Sequence, residues 1–323
     1  TTKQWDWGFL FENGYGTDDS YTHSSGLLDN RPPNDPQNQY DILQADVTLE
    51  VPGGATITAG KFVGLLGEEV INPTGDAFYS HSYSFTYGVA STDTGVLASY
   101  TWAKGPGGNP MTLTGGITRG WNQSLRDGNG AIDGIVELTV QPTSAFKTVF
   151  NAQVGPEGNS PAHVHVGPFT ANGKADNSDY WTTLEAIPSY TVSDQLTVSA
   201  DCLYSDAPHD SYAQLGQSAQ WYGVAAYASY KIGDSGMFTA NLRGEWYRDQ
   251  GGATIEGISA NYYEATAGVD IKPFPSDNYL QWLQIRPEVR EDWSDRPVFN
   301  FSHNGGVGDY QEFSVACDVL MQF

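Results

Sequence analysis

In the stretch "LQWLQIRPEVREDW", residues 280–293, Gln284, Arg286, Glu288, Arg290 and Asp292 recur at every second position. Guanidinium and carboxylate groups at that spacing can pair with one another, bind charged solutes, or filter them by sign. Leu283, Ile285, Pro287 and Val289 fill the positions between. A period of two specifies a β-strand with one polar and one apolar face. It leaves open which face meets water. A soluble sandwich would bury the apolar set, whereas a transmembrane barrel would turn it to lipid and point the charges into a lumen.

Other groups with chemical potential are isolated. "HVH" at 163–165 sets His163 and His165 on one strand face, a spacing that could ligate zinc or copper. No third ligand lies near them in sequence, and loop histidines in a polar segment are the plainer reading. Asp18, Asp19, Glu68 and Glu69 could attract Ca²⁺ but lack the spacing of an EF-hand loop. Ser80, His81 and Ser82 form a suggestive triplet, yet adjacent residues cannot build a nucleophile, base and orienting acid. No catalytic residue, no enzyme activity and no cofactor is expected. Cys202 and Cys317 fall on the apolar phase of their segments and read as small apolar residues rather than a disulfide or metal pair.

The elements that must position the charged ladder repeat its pattern. "LQADVTLEV" sets Leu43, Ala45, Val47, Leu49 and Val51 against Gln44, Asp46, Thr48 and Glu50. "MFTANLRGEWY" and "EFSVACDVLMQF" repeat the alternation far downstream. Tight turns lie at 51–55, 104–110, 141–145, 192–195, 232–236 and 274–278, each rich in Gly, Pro, Asp, Asn or Ser. Between them run long polar segments at 16–38, 67–80, 121–133, 155–180, 206–220, 250–262 and 294–310. Six short connections alternating with seven long ones predict fourteen strands, with twelve or sixteen as alternatives. Residues 82–103 are too long for one ordinary strand and are expected to bend or split at "STDTG".

Alternating connection lengths gather all tight turns at one end and all long loops at the other. That asymmetry belongs to an up-and-down antiparallel barrel of the outer membrane, with short periplasmic turns and long extracellular loops. Aromatic residues near strand ends (Trp5, Trp7, Trp102, Trp121, Trp181, Trp221, Tyr222, Trp246, Tyr262, Tyr263, Tyr279, Trp282 and Trp293) read as the girdles of such a barrel. Residues 1–323 are expected to form one all-β domain. No run of about 18 apolar residues offers a transmembrane helix. No leader is visible at Thr1, which suits a processed mature chain or a cytoplasmic protein. The formal net charge of −23 argues against nucleic acid as a partner and favours cations or neutral solutes.

Further phrases resemble the bacterial β-barrel porin-2 family of OmpL-like porins. They are "QADVTLEVPGGATITAGKFVGLLGEEVINPTGDAFYSHSYSFTYG", "TGVLASYT", "TLTGGITRGW", "WYGVAAYASYKI", "RGEWYRDQGG" and "IRPEVREDWS", and the likeness spans residues 9–323. The terminal Phe323 resembles the C-terminal signal read by bacterial barrel-assembly machinery. The resemblance implies an outer-membrane porin without catalytic residues. It places the chain in outer-membrane lipid, passing small hydrophilic solutes or ions, with a homo-oligomer or docked proteins as further partners.

With lipid outside, the groups expected to line the lumen are Gln44, Asp46 and Glu50; Asn151 and Gln153; Asn241, Arg243 and Glu245; and Asp270. Gln284, Arg286, Glu288, Arg290, Asp292 and Asp318 complete the set. These charges could brace the wall as ion pairs, or form a constriction that filters solutes. Arg243, Arg286 and Arg290 could locally admit anions. A non-conducting barrel that anchors a partner, and a soluble carbohydrate-binding sandwich, are the competing readings.

Overall fold

The computed structural model describes residues 5–15, 40–124, 130–158, 176–208, 218–255, 257–300 and 308–322. Fourteen strands run in chain order: β1 (Asp6–Tyr15), β2 (Tyr40–Val51), β3 (Ala55–Val63), β4 (Thr92–Trp102), β5 (Met111–Thr118), β6 (Asp133–Val140) and β7 (Phe146–Gly158). They continue as β8 (Asp176–Thr191), β9 (Leu196–Ala207), β10 (Ala219–Ile232), β11 (Phe238–Asp249), β12 (Ala260–Ile271), β13 (Leu283–Ser294) and β14 (Gln311–Met321). Each pairs antiparallel with the next in a single sheet of sequential order. This is an up-and-down β-barrel. All six predicted tight turns separate neighbouring strands, and the other seven connections fall between the strands where the long segments were predicted.

The binary pattern decides which way each side chain points, because paired residues on adjacent strands share a face. On β11, Leu242 is 59% exposed while its neighbour Arg243 is 2% exposed. Val47, Ile117, Phe150, Leu184, Val289 and Val315 likewise stand outside. The protein is inverted relative to a soluble domain, with apolar residues outward and ionic groups inward. Lipid favours that arrangement, since an Arg or Lys on the lipid face costs roughly 2–4 kcal/mol near the midplane. Closure of backbone hydrogen bonds between strands is the other requirement of hydrocarbon, which supplies no partners. Cys202 and Cys317 are free thiols on the outward phase.

Three details differ from the sequence pattern. Residues 82–91 do not extend β4; they continue the β3–β4 connection, which spans 64–91 and holds a π-helical turn at Ser84–Gly88. Apart from the exposed Tyr87, their apolar and aromatic side chains bury inside the barrel rather than on a strand face. Leu43 was expected on the lipid face. The β1–β2 ladder instead passes from Glu12↔Gln44 to Asn13↔Ile42, so Leu43 is the extra residue of a bulge and is buried in the interior cluster. Trp121, Trp181, Trp221 and Tyr262 leave the predicted girdle and are buried. The three indoles pack edge-to-face at 5.2–6.2 Å between centroids, on the inward phase of β8 and β10 and on the β5–β6 loop. Trp5, Trp7, Trp102, Trp246, Tyr279, Trp282 and Trp293 remain exposed near the two rims.

Candidate functional site

The interior of the barrel is organised around loop 64–91. A segment without regular secondary structure carries backbone N–H and C=O groups that need partners once water is excluded. The strand walls supply them. Glu185 of β8 accepts two bonds from the Gly67 N–H at 3.0 Å. Glu245 of β11 accepts the N–H groups of Tyr83 (2.6 Å) and Ser84 (2.7 Å) and the Ser84 hydroxyl (2.6 Å). Glu288 of β13 accepts from the N–H of Tyr79 at 2.8 Å and of Ser80 at 3.2 Å.

Guanidinium groups hold the carbonyls of the same loop. Arg286 donates to Pro73 O (2.8 Å) and Asp76 O (2.5 Å), Arg290 to His81 O (2.5 Å), and Arg243 to Ser80 O (2.8 Å). Asn241 donates to Ala77 O at 3.3 Å. Charged hydrogen bonds of this kind are worth about 1.5–3 kcal/mol each. Two glycines let the loop sit so close. Gly67 holds φ +110°, a region other residues avoid, and a Cβ on Gly88 would run into Leu203 and Tyr247. The Gly88 carbonyl accepts the Trp221 Nε1–H at 3.0 Å.

The charges also pair among themselves. Arg243 bridges Glu264 of β12 (2.7 Å) and Glu69 of the loop (2.8 Å), and its guanidinium lies 5.0 Å from the centre of the Phe78 ring. Arg290 engages Asp292 at 2.7 Å and approaches Glu264 at 3.7 Å, while Arg286 meets Asp318 at 2.5 Å. Tyr83 donates its hydroxyl to Asp292 at 2.7 Å. Burial disfavours the Glu69 carboxylate, but Arg243 and His81 beside it overcome that cost and hold its pKa down at about 2. Burial pushes Asp76 up to about 7, with His81 only partly offsetting it.

The fifteen candidates from sequence divide into two groups. Asn241, Arg243, Glu245, Arg286, Glu288, Arg290 and Asp292 converge on loop 64–91. Asn151 joins them indirectly by donating to Glu185 at 2.7 Å. The others stand apart. Gln153 donates to Asp93 and Asp133, Gln44 donates to Glu12, Asp46 accepts from Thr48, and Asp270 pairs with Lys272. Asp318 holds Arg286 from β14, Gln284 is half-buried, and Glu50 is exposed. His163, His165, Asp18 and Asp19 lie outside the described residues. Among the described residues no group of three or more acidic, His or Cys side chains is placed to hold a metal.

Sequence reasoning missed Asp76, Glu185 and Glu264, and weighed Glu69 and His81 only for other chemistry. One signal was available: residues 62–89 carry Phe62, Leu65, Leu66, Val70, Ile71, Phe78, Tyr83, Phe85 and Val89 without strand alternation, too apolar for a solvated loop.

A sequential antiparallel barrel with a lipid-facing apolar wall and an ionic interior defines a porin-type protein of the bacterial outer membrane. The chain belongs to the family described as "Putative beta-barrel porin-2, OmpL-like", which matches residues 1–323. Its fold is similar to that of the outer-membrane channel DcaP of Acinetobacter baumannii, at 12% identity and TM-score 0.57, covering 99% of this chain and 82% of that one. It is also similar to Salmonella typhi OmpF in complex with daunomycin, at 12% identity and TM-score 0.54, covering 91% and 82%. A loop-deleted OmpT of Vibrio cholerae matches at 9% identity and TM-score 0.53, covering 86% and 79%. No curated protein matches the sequence.

Proposed function

We propose that the barrel passes small hydrophilic solutes and ions by passive diffusion, without a chemical step or cofactor. One observation carries this reading: loop 64–91 does not cover every inward residue. The inward residues of β8–β13 are largely buried against it, whereas Asp6 of β1, Glu50 of β2, and Glu312 and Ser314 of β14 are exposed on their inward phase. A wet corridor beside β14, β1 and β2 supports diffusion past the loop. Glu50, Gln284, Asp270 and Asp318 then line the passage, and the buried candidates set its width by holding the loop.

The corridor favours cations. Asp6, Glu50 and Glu312 exposed on it are acidic, and Arg243, Arg286 and Arg290 are each neutralised by a carboxylate. The whole chain acts as one barrel domain in outer-membrane lipid. Conductance in a planar bilayer, with neutral polymers of graded size and a salt gradient, tests both points. Steps of defined size that graded polymers block, with a reversal potential of cationic sign, are expected. A silent barrel would support the competing anchor reading, and an anion-selective one would reverse the assigned sign.

A further inference from the structure

On the long-loop side of loop 64–91 lies a cavity of about 390 Å³ that neither the ion pairs nor the corridor explains. Its size falls within the range of small-molecule sites, about 300–1,000 Å³. Tyr83 and Tyr87 of the loop, Arg290 and Asp292 of β13, Glu312 of β14 and Asn300 face it, with Ile255, Val298 and Phe299 adding an apolar side. His81 also lines it, but its imidazole is engaged by Glu69 at 3.0 Å and faces Asp76 at 3.7 Å.

We propose that this cavity is a binding subsite for small organic cations on their way through the barrel, a reading that rests on the diffusion path above. The charge pattern decides the sign. Arg290 is the one guanidinium among the cavity's described lining residues, and Asp292 takes both its Nε and Nη2 at 2.7 Å. Glu312 stands directly across from Asp292 on the paired strand and is exposed, making no hydrogen bond or ion pair with the described residues. Asp292 is already compensated by Arg290, so Glu312 is the carboxylate left to meet a cation in the cavity.

The aromatic floor decides the class. Tyr83 and Tyr87 stack with centroids 6.0 Å apart, and the Arg290 guanidinium already sits 5.2 Å from the centre of the Tyr83 ring. A cation is therefore already accepted over one of these faces, and Tyr87 is 39% exposed beside it. An ammonium with a short apolar body satisfies the free carboxylate, the tyrosine face and the apolar side together. An anion would confront Glu312, with Arg290 already spent on Asp292. A neutral polyol would leave Glu312 uncompensated.

The full-length barrel in a planar bilayer tests the proposal, with tetramethylammonium added to one chamber and glucose as the uncharged probe. Reversible current interruptions that grow with tetramethylammonium and are absent with glucose are expected. Glu312→Gln and Tyr87→Ala should each raise the half-blocking concentration about tenfold. Unchanged block in Glu312→Gln, or equal block by glucose, overturns the subsite. Glu312 is exposed, so its replacement leaves folding intact, which a thermal melt verifies. If the barrel carries no current, the diffusion reading fails separately. Ligand-observed NMR in detergent then decides the subsite: tetramethylammonium broadening lost in Glu312→Gln supports it, and broadening absent or insensitive to that change refutes it.

Discussion

The wall formed by β8–β13 and the wall formed by β14, β1 and β2 present the same kind of inward side chain to different surroundings. On the first, Glu185, Glu245 and Glu288 are 4–5% exposed and spend their oxygens on the backbone of loop 64–91. On the second, Glu50 and Glu312 are exposed. A carboxylate facing water is held at little energetic cost and, on the proposed path, would serve selectivity. The same carboxylate under a loop is a structural latch whose loss leaves buried N–H groups without acceptors. Residue type therefore does not assign the role; what lies opposite does.

The contrast is broken most severely by Arg243→Ala. It takes the nearest guanidinium from Glu69 and Glu264, both buried, and removes the donor to Ser80. A loss of about 3–5 kcal/mol is expected, the cost of leaving buried charge unpaired. Equilibrium unfolding in denaturant measures it, and loss of the latch should make single-channel current noisier. A stable, quiet Arg243→Ala barrel would mean that the loop is held mainly by its apolar contacts.

A smaller effect concerns pH. Asp76, raised to about 7 from a usual 3.8, faces His81 and Glu69 on its own loop and Arg286 on β13. A carboxyl whose folded pKa is raised stabilises the native state at low pH, and that contribution is lost as pH climbs through about 4 to 7. Glu69 has the opposite sign: its depressed pKa stabilises the loop above pH 4.5 and is lost only on falling toward 2. Between pH 4.5 and 7 Asp76 dominates this pair, so loop stability should decline as pH rises. Asp76→Asn should flatten that slope in current noise recorded across the window. An unchanged slope would move the titration to another group.

The smallest stability effect is expected on the open wall. Glu50→Gln should alter unfolding free energy by no more than about 0.5 kcal/mol, as for other surface changes. It should lower cation preference in the reversal potential. A large destabilisation would show that the open wall is packed like the crowded one.

Much of the architecture was legible in the chain. Gly- and Pro-rich turns such as "VPGGA" and "IGDSG", alternating with long segments, pointed to fourteen strands, with twelve or sixteen left as alternatives. Period-two alternation assigned Arg243 and Leu242 to opposite faces. The destination of loop 64–91 was not legible, because the Glu185–Gly67 and Glu288–Tyr79 contacts join residues 118 and 209 positions apart. The buried indoles were hidden for a related reason: a Trp at a strand end suits a lipid rim and a packed interior equally well.

Local sequence thus determined strand, turn and facing, since backbone pleat and side-chain polarity act over one or two residues. Whether an inward charge would touch water or a folded-in backbone was decided only when the curved sheet brought distant strands around one loop. Desolvation depends on everything within a few ångströms in space, and a linear pattern does not contain that information.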